Sequence, residues 1–178
     1  MPEVWLNVSG HRMGKTENEM GREVRRVPAN WQHPKDERTG HFIPLFDGSF
    51  RQVLDEWNEE NAKWSRGEFP DYADDEDKKM SYSEWNGDQP KIRDYMPDWP
   101  DEQRTHLMMY ETTSEGTPIS PAFETPEELA RWLADTGASA FGGSTASYEG
   151  WLRVAQGGYA PSAVSVNGGP LVSGVDAL

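Results

Sequence analysis

The densest group of side chains that could take part in chemistry lies in residues 110–121. The segment reads Y-E-T-T-S-E-G-T-P-I-S-P and follows a strand-like stretch, so we expect a loop that leaves a strand. Hydroxyls and backbone N–H groups at such a turn can hold a phosphate or carboxylate, and a nearby Glu can act as an acid or base. The same residue types also form ordinary turns by bonding to the local backbone. The candidate ligand residues of this loop are Glu111, Thr112, Thr113, Ser114, Glu115 and Thr117.

Other patterns that carry catalysis are incomplete. Residues 10–16 read G-H-R-M-G-K-T and resemble a phosphate-binding loop, but three residues separate the glycines where four are needed. His33 and His41 flank Asp36 and Glu37 without the spacing of a zinc site, and the chain has no cysteine. With 31 acidic residues, sequence cannot select a catalytic carboxylate pair. We therefore expect no metal and no cofactor, and we assign no catalytic residue.

Acidic side chains form a second candidate site. Of the net charge of −14, −10 falls on residues 47–102, which carry 17 acidic and 7 basic side chains. The apolar spacing of residues 49–66 predicts an amphipathic helix, and carboxylates four residues apart on its outer face lie about 5–6 Å apart, near the phosphate spacing of one nucleic-acid strand. A solvated helix face is the plainer interpretation. The candidate partner-binding residues are Asp55, Glu56, Glu59 and Glu60 of this helix and Asp74, Asp75, Glu76 and Asp77 of the run that follows.

Capping residues and periodicity predict the elements that would position these side chains. Residues 125–136 have Thr125 as a cap, Pro126 at the first helical position and Glu128 to complete a capping box. A third helix is predicted over residues 145–156. Because the helices cluster instead of alternating with strands, the sequence predicts an α+β fold with a small sheet and about three helices. Strands are expected at 4–8, 105–112, 163–166 and 171–175, with the last two joined by a turn at Asn167-Gly168-Gly169.

The chain is predicted to be a single domain over residues 1–178. Residues 67–104 are expected to form a long acidic surface excursion rich in Pro and Trp, and residues 105–178 to supply the core portion. The basic cluster Arg22, Arg25 and Arg26 is expected to pair with the acidic middle of the same chain. The first twenty residues lack the apolar run of a signal peptide, and no apolar stretch reaches the roughly 18–20 residues that span a bilayer, so we expect a cytoplasmic protein.

Two segments resemble sequences of an uncharacterised family of proteins encoded by tailed bacteriophages and prophages. They are residues 24–34, V-R-R-V-P-A-N-W-Q-H-P, and residues 110–133, which begin Y-E-T-T-S-E-G-T-P. The resemblance extends from about residue 22 to the last residue, with residues 67–95 the least similar part. It carries no activity and no site residue. It implies a small phage accessory protein that acts in the host cytoplasm.

Three functions are compatible with these observations. The first is an inhibitor that binds a host defence or nucleic-acid-handling protein through the acidic, phosphate-like surface. The second is a small enzyme or nucleotide-binding protein that uses residues 110–121. The third is a virion structural component whose arm, residues 67–104, packs on a neighbouring subunit. The charge favours a host protein with a basic surface as partner, argues against direct contact with nucleic acid or a membrane, and leaves a homo-oligomer open.

Overall fold

The structure, a computed structural model, describes residues 20–114, 116–165 and 171–177. Helices and antiparallel strands are both present, so the fold is α+β, as the sequence predicts. The described residues cluster into two compact units: unit 1 contains residues 48–96, and unit 2 contains residues 20–47 together with those from 97 onward. The prediction of one domain stays a prediction, because two compact units can belong to one domain.

The described residues form helices and strands in the following chain order. They are β1 (Gly21–Val27), α1 (Phe50–Ser65), α2 (Tyr82–Asn86), β2 (His106–Glu111), β3 (Thr117–Pro118), α3 (Pro126–Asp135), α4 (Tyr148–Gly157), β4 (Tyr159–Pro161), β5 (Ala163–Ser165), β6 (Leu171–Ser173) and α5 (Gly174–Ala177). Short 3-10 helices occur at Asp77–Lys79, Ile92–Asp94 and Asp101–Gln103. Among these, no helix is both long and apolar enough to cross a membrane.

Unit 2 is built on a four-stranded antiparallel sheet in the order β3-β2-β1-β4. β1 pairs with β2 from Arg22 to Val27, with Val24 opposite Met109, and with β4 on its other side. No sequence signal marks β1, because its seven residues include three arginines and a glutamate, a composition typical of an exposed segment. Arg22 and Arg25 are nevertheless buried, at 3% and 5% exposure.

Helices α3 and α4 cover the sheet and complete the core of unit 2. α3 has the predicted capping box: the Thr125 side chain accepts from the N–H of Glu128, and the Glu128 side chain accepts from the N–H of Thr125. α4 begins at Tyr148, three residues later than predicted, because Ser147 is the residue that caps it. The largest side chains that are fully buried in this core are those of Met109, Leu129, Leu133, Trp151, Val154 and Val175.

The last described elements of unit 2 are a hairpin and a short helix. β5 and β6 pair antiparallel as predicted, although β6 ends at Ser173 where α5 begins. A side-chain carbon at Gly150 would collide with Oδ1 of Asp176. Glycine at this position of α4 therefore allows α5 to pack closely against it. The predicted turn at 167–169, the predicted strand at 4–8 and the loop at 10–16 lie outside the described residues.

Unit 1 consists of α1 and a segment that folds back on it. Ser49 caps α1 by accepting from the N–H of Gln52, but the Gln52 side chain donates to Glu56, so only half of a capping box forms. Residues 67–96, predicted to be part of a surface excursion, bury Tyr82 against Trp64. The 16-residue helix therefore gains an apolar core of its own.

Candidate functional site

The four predicted carboxylates of α1 all lie on its exposed face. Glu59 and Glu60 both bind Nζ of Lys63, at 2.9 and 2.8 Å, and the bond from Lys63 lowers the pKa of Glu59. Glu56 accepts from the Gln52 amide at 2.9 Å, and Asp55 has no ion pair to the residues that the structure describes. The row thus presents two carboxylates without a cation and two that share one.

The acidic run at residues 74–77 forms an ordered turn. Oδ1 of Asp74 accepts the N–H groups of Glu76 and Asp77 at 2.8 and 2.9 Å, and these bonds hold the pKa of Asp74 below its ordinary value. Oδ2 of Asp77 accepts the N–H of Asp74 in return. Asp75 and Glu76 stay exposed and pair with the two lysines that follow. Backbone bonds thus offset the mutual repulsion of the carboxylates.

Unit 1 keeps a negative excess after these internal pairs are formed. Residues 48–96 carry thirteen acidic and seven basic side chains, a net charge of −6. Six of the seven cations lie within 4.0 Å of a carboxylate: Lys63, Arg66, Lys78, Lys79, Lys91 and Arg93. Few cations therefore remain to screen the other carboxylates, and the surface repels anions.

An aromatic cluster holds the acidic helix in place. The rings of Trp64 and Trp85 stack with centroids 4.4 Å apart, and the indole N–H of Trp64 donates to the Met80 carbonyl at 2.9 Å. Two turns back along α1, the indole N–H of Trp57 donates to the Gly87 carbonyl at 3.2 Å. Rigid rings with satisfied N–H groups fix the rotation of α1, so its carboxylates have a defined direction.

The second candidate, residues 110–121, consists of the end of β2, the turn that follows it, β3 and the residues just beyond. Oγ1 of Thr112 accepts the N–H of Gly21 at 2.8 Å, and the Ser114 hydroxyl bonds to Thr117 and to the Glu111 carbonyl. The Glu111 carboxylate binds Arg22 at 3.2 Å. These groups are thus occupied in holding the turn, which favours its structural interpretation.

The remaining candidates of this loop differ in their surroundings. Thr113 is exposed at the turn, and Glu115 lies outside the described residues. Beyond the turn, the buried Ser120 hydroxyl accepts the N–H of Met109 at 2.9 Å and donates to the Pro121 carbonyl. The loop hydroxyls with described bonds therefore serve the sheet.

Two of the three arginines in the basic cluster of β1, Arg22 and Arg25, are buried and paired within unit 2. Nε of Arg22 donates to the Ser139 carbonyl at 2.9 Å, in addition to the bond with Glu111. Arg25 binds Glu23 at 2.8 Å and donates to the Leu45 carbonyl at 2.6 Å. For these two arginines the expected pairing with the acidic middle is wrong, because buried guanidinium groups need partners in their own surroundings. Arg26 is exposed.

A polar network that the sequence did not indicate joins the 31–46 segment to the sheet. The Nε2 atom of His33 lies 2.7 Å from the Ile43 carbonyl, so Nε2 carries the proton and Nδ1 accepts the hydroxyl of Tyr110 at 3.1 Å. Tyr110 accepts in turn from the indole N–H of Trp31 at 3.2 Å. The Arg25 guanidinium lies 4.4 Å from the centre of the Tyr110 ring.

Burial shifts the pKa values of both titratable groups in this network. It raises the pKa of Tyr110 to about 12 and lowers the pKa of His33. His33 and Tyr110 are 77 positions apart, so no local spacing could have joined them. The network fixes a loop, because the ring nitrogens of His33, the Tyr110 hydroxyl and the Trp31 indole N–H are all hydrogen-bonded within it.

The histidine and carboxylate side chains of residues 33–41, whose spacing is not that of a zinc site, do not converge on one point. Asp36 instead accepts from the backbone and hydroxyl of Thr39, and these bonds lower its pKa. No group of three or more potential metal ligands occurs among residues 20–114, 116–165 and 171–177.

The chain matches no family model, no curated protein and no solved structure. Inference about its function therefore rests on geometry and charge.

Proposed function

We propose that the protein acts by binding, and that the exposed carboxylates of α1 and of residues 74–77 contact a basic surface on a partner protein. The observation that carries this proposal is the row of exposed carboxylates on a helix that an aromatic cluster holds rigid. A rigid row of carboxylates loses little conformational freedom on binding, so little of the binding free energy is spent on ordering it. Its negative charge can also speed the association with a basic partner.

The kind of partner follows from the spacing of the row. Carboxylates about 5–6 Å apart along a helix present charge at nearly the interval of a nucleic-acid strand. A protein groove that binds phosphates should therefore accept them. Together with the phage resemblance, this favours a host defence or nucleic-acid-handling protein as the target and inhibition as the effect.

The test compares three forms of the immobilised protein in a lysate of host cells. The first is the natural chain. The second carries Asp55→Asn, Glu56→Gln, Glu59→Gln and Glu60→Gln. The third is a matched control with the same charge change at exposed carboxylates of unit 2: Glu37→Gln, Asp98→Asn, Glu102→Gln and Glu149→Gln.

Support requires a protein that the natural chain and the control retain and that the α1 variant does not. Duplex DNA must release that protein in competition, and release must also follow from a rise in salt, because exposed charges are screened within about 8–10 Å at physiological ionic strength. Equal retention by all three forms, or release that is insensitive to DNA, would contradict the proposal.

A further inference from the structure

An open groove in unit 2 lies along the outer face of α3. Its volume is about 720 Å³, and its lining includes Phe123, Trp132 and Tyr148. The Phe123 and Trp132 rings lie 6.0 Å apart, and both are half-buried, so each keeps part of its surface at the groove. Part of the aromatic surface in the groove is therefore accessible to a ligand that approaches from solvent.

Carboxylates line this groove in excess over cations. Glu124, Glu127, Glu128 and Asp135 face it with one guanidinium, that of Arg131. Glu128 is held by the capping box of α3. Glu124, Glu127 and Asp135 are exposed and have no ion pair to any residue in the described part of the chain.

The groove contains a cation–π contact between two of its own side chains, which is the kind of contact that a bound arginine could make there. Cζ of Arg131, on α3, lies 4.0 Å from the centre of the ring of Tyr148, on α4, which is a cation–π contact. Arginine suits such a site better than lysine, because a planar, weakly hydrated guanidinium stacks on a ring and binds carboxylates through paired N–H groups.

We propose that this groove is a docking site for an arginine-bearing peptide segment of a partner protein. Of the three carboxylates that lack a cation, Glu124 lies just before the α3 cap, and Glu127 and Asp135 lie about 12 Å apart along the helix axis. Alternate side chains of an extended peptide repeat at about 7 Å, so a segment with two or three arginines can satisfy these carboxylates together. The groove is also larger than one side chain needs. This site is separate in residues and in unit from the acidic surface of α1.

The test measures binding of a labelled Arg-Gly-Arg-Gly-Arg peptide by fluorescence anisotropy. The groove variant is Glu124→Gln with Glu127→Gln and Asp135→Asn, and the matched control is Asp55→Asn with Glu56→Gln and Glu59→Gln, which removes the same charge from unit 1. We expect the groove variant to weaken binding about tenfold, because each exposed ion pair contributes a few-fold, and the control to weaken it less than about twofold.

Two further arms identify the ligand. A peptide with citrulline in place of arginine should not bind, and free arginine amide at equal total guanidinium should not displace the peptide. Equal losses in the two variants would overturn the proposal, as would absence of peptide binding or equivalent binding of free arginine amide. Amide NMR spectra of each variant verify its folding. The control removes carboxylates of α1 and leaves the groove intact. Peptide binding to the groove and partner binding to the α1 surface can therefore be contradicted independently of each other.

Discussion

Replacement of His33 by Phe should destabilise unit 2 and remove part of the pH dependence of its stability. Phe keeps a flat ring among its aromatic neighbours but makes neither of the two hydrogen bonds of His33. The Ile43 carbonyl and the Tyr110 hydroxyl then each lose a partner. The Tyr110 hydroxyl keeps its bond from the Trp31 indole, so the main cost falls on the Ile43 carbonyl. Since an unpaired buried polar group costs about 1–3 kcal/mol, we expect the free energy of unfolding to fall by about 1–3 kcal/mol at pH 7.5.

The sign of the pH dependence follows from the environment of His33. Burial lowers its pKa from 6.5; the bond to the Ile43 carbonyl opposes this shift, and the charge of Arg25 adds to it. As pH falls, the unfolded chain therefore takes up a proton at His33 before the folded chain does. The stability that this group contributes is complete above pH 6.5 and is lost as pH falls toward the lowered pKa. One proton accounts for at most about 1.4 kcal/mol between pH 7.5 and 5.5.

Urea unfolding at pH 7.5 and 5.5, followed by the amide signals of β2, measures both effects. The natural chain, His33→Phe and the exposed control His41→Gln are compared. The difference between the natural chain and His33→Phe should shrink at pH 5.5, while His41→Gln should follow the natural chain. A difference that stays constant or grows at pH 5.5 would refute the assignment of a neutral, hydrogen-bonded His33.

Two further pairs of substitutions in unit 2, at turn glycines and at the α3 cap, are tested by the same unfolding measurement. Gly116→Ala should lower the free energy of unfolding by about 3 kcal/mol or more, because φ is +97° and the added carbon would collide with the Leu45 carbonyl oxygen. Gly142→Ala, at φ +52° with open space around it, should lower it by about 1–2 kcal/mol. Equal losses of stability in the two variants would contradict this reasoning. Thr125→Ala should cost about 1 kcal/mol through loss of the α3 cap, and Thr125→Ser should restore most of it; no loss with Ala would show that the cap does not stabilise α3.

Local signals in the sequence predicted the elements whose stability is local. The capping box and buried stripe of α3 lie within about a dozen consecutive residues, and α1 follows its apolar spacing. β1 was missed because its two buried arginines also depend on partners far along the chain: Arg22 binds Glu111, and Arg25 lies over the ring of Tyr110. A strand that depends on distant partners has no signature in its own seven residues.

The candidate sites likewise differ in how far local sequence could predict them. Exposure of the α1 carboxylates was predictable from periodicity, since an amphipathic helix turns its charged face to solvent. Their partial neutralisation by Lys63 was not, because two carboxylates that share one cation depend on side-chain geometry. The groove beside α3 was beyond prediction for a further reason. It combines Phe123 and Trp132 with Tyr148, which belongs to a different helix.

The insertion of unit 1 between residues 47 and 97 has a consequence for how the chain reaches its native state. β1 pairs with β2 only after a loop of about 80 residues closes, a slow step whose entropic cost precedes any stabilisation from pairing. The contacts of α1 with residues 67–96 span much shorter separations, so unit 1 can form while that loop is still open. The acidic surface of unit 1 should then form on a chain whose sheet is still incomplete. A polycationic partner present during synthesis could therefore bind this surface before unit 2 has folded.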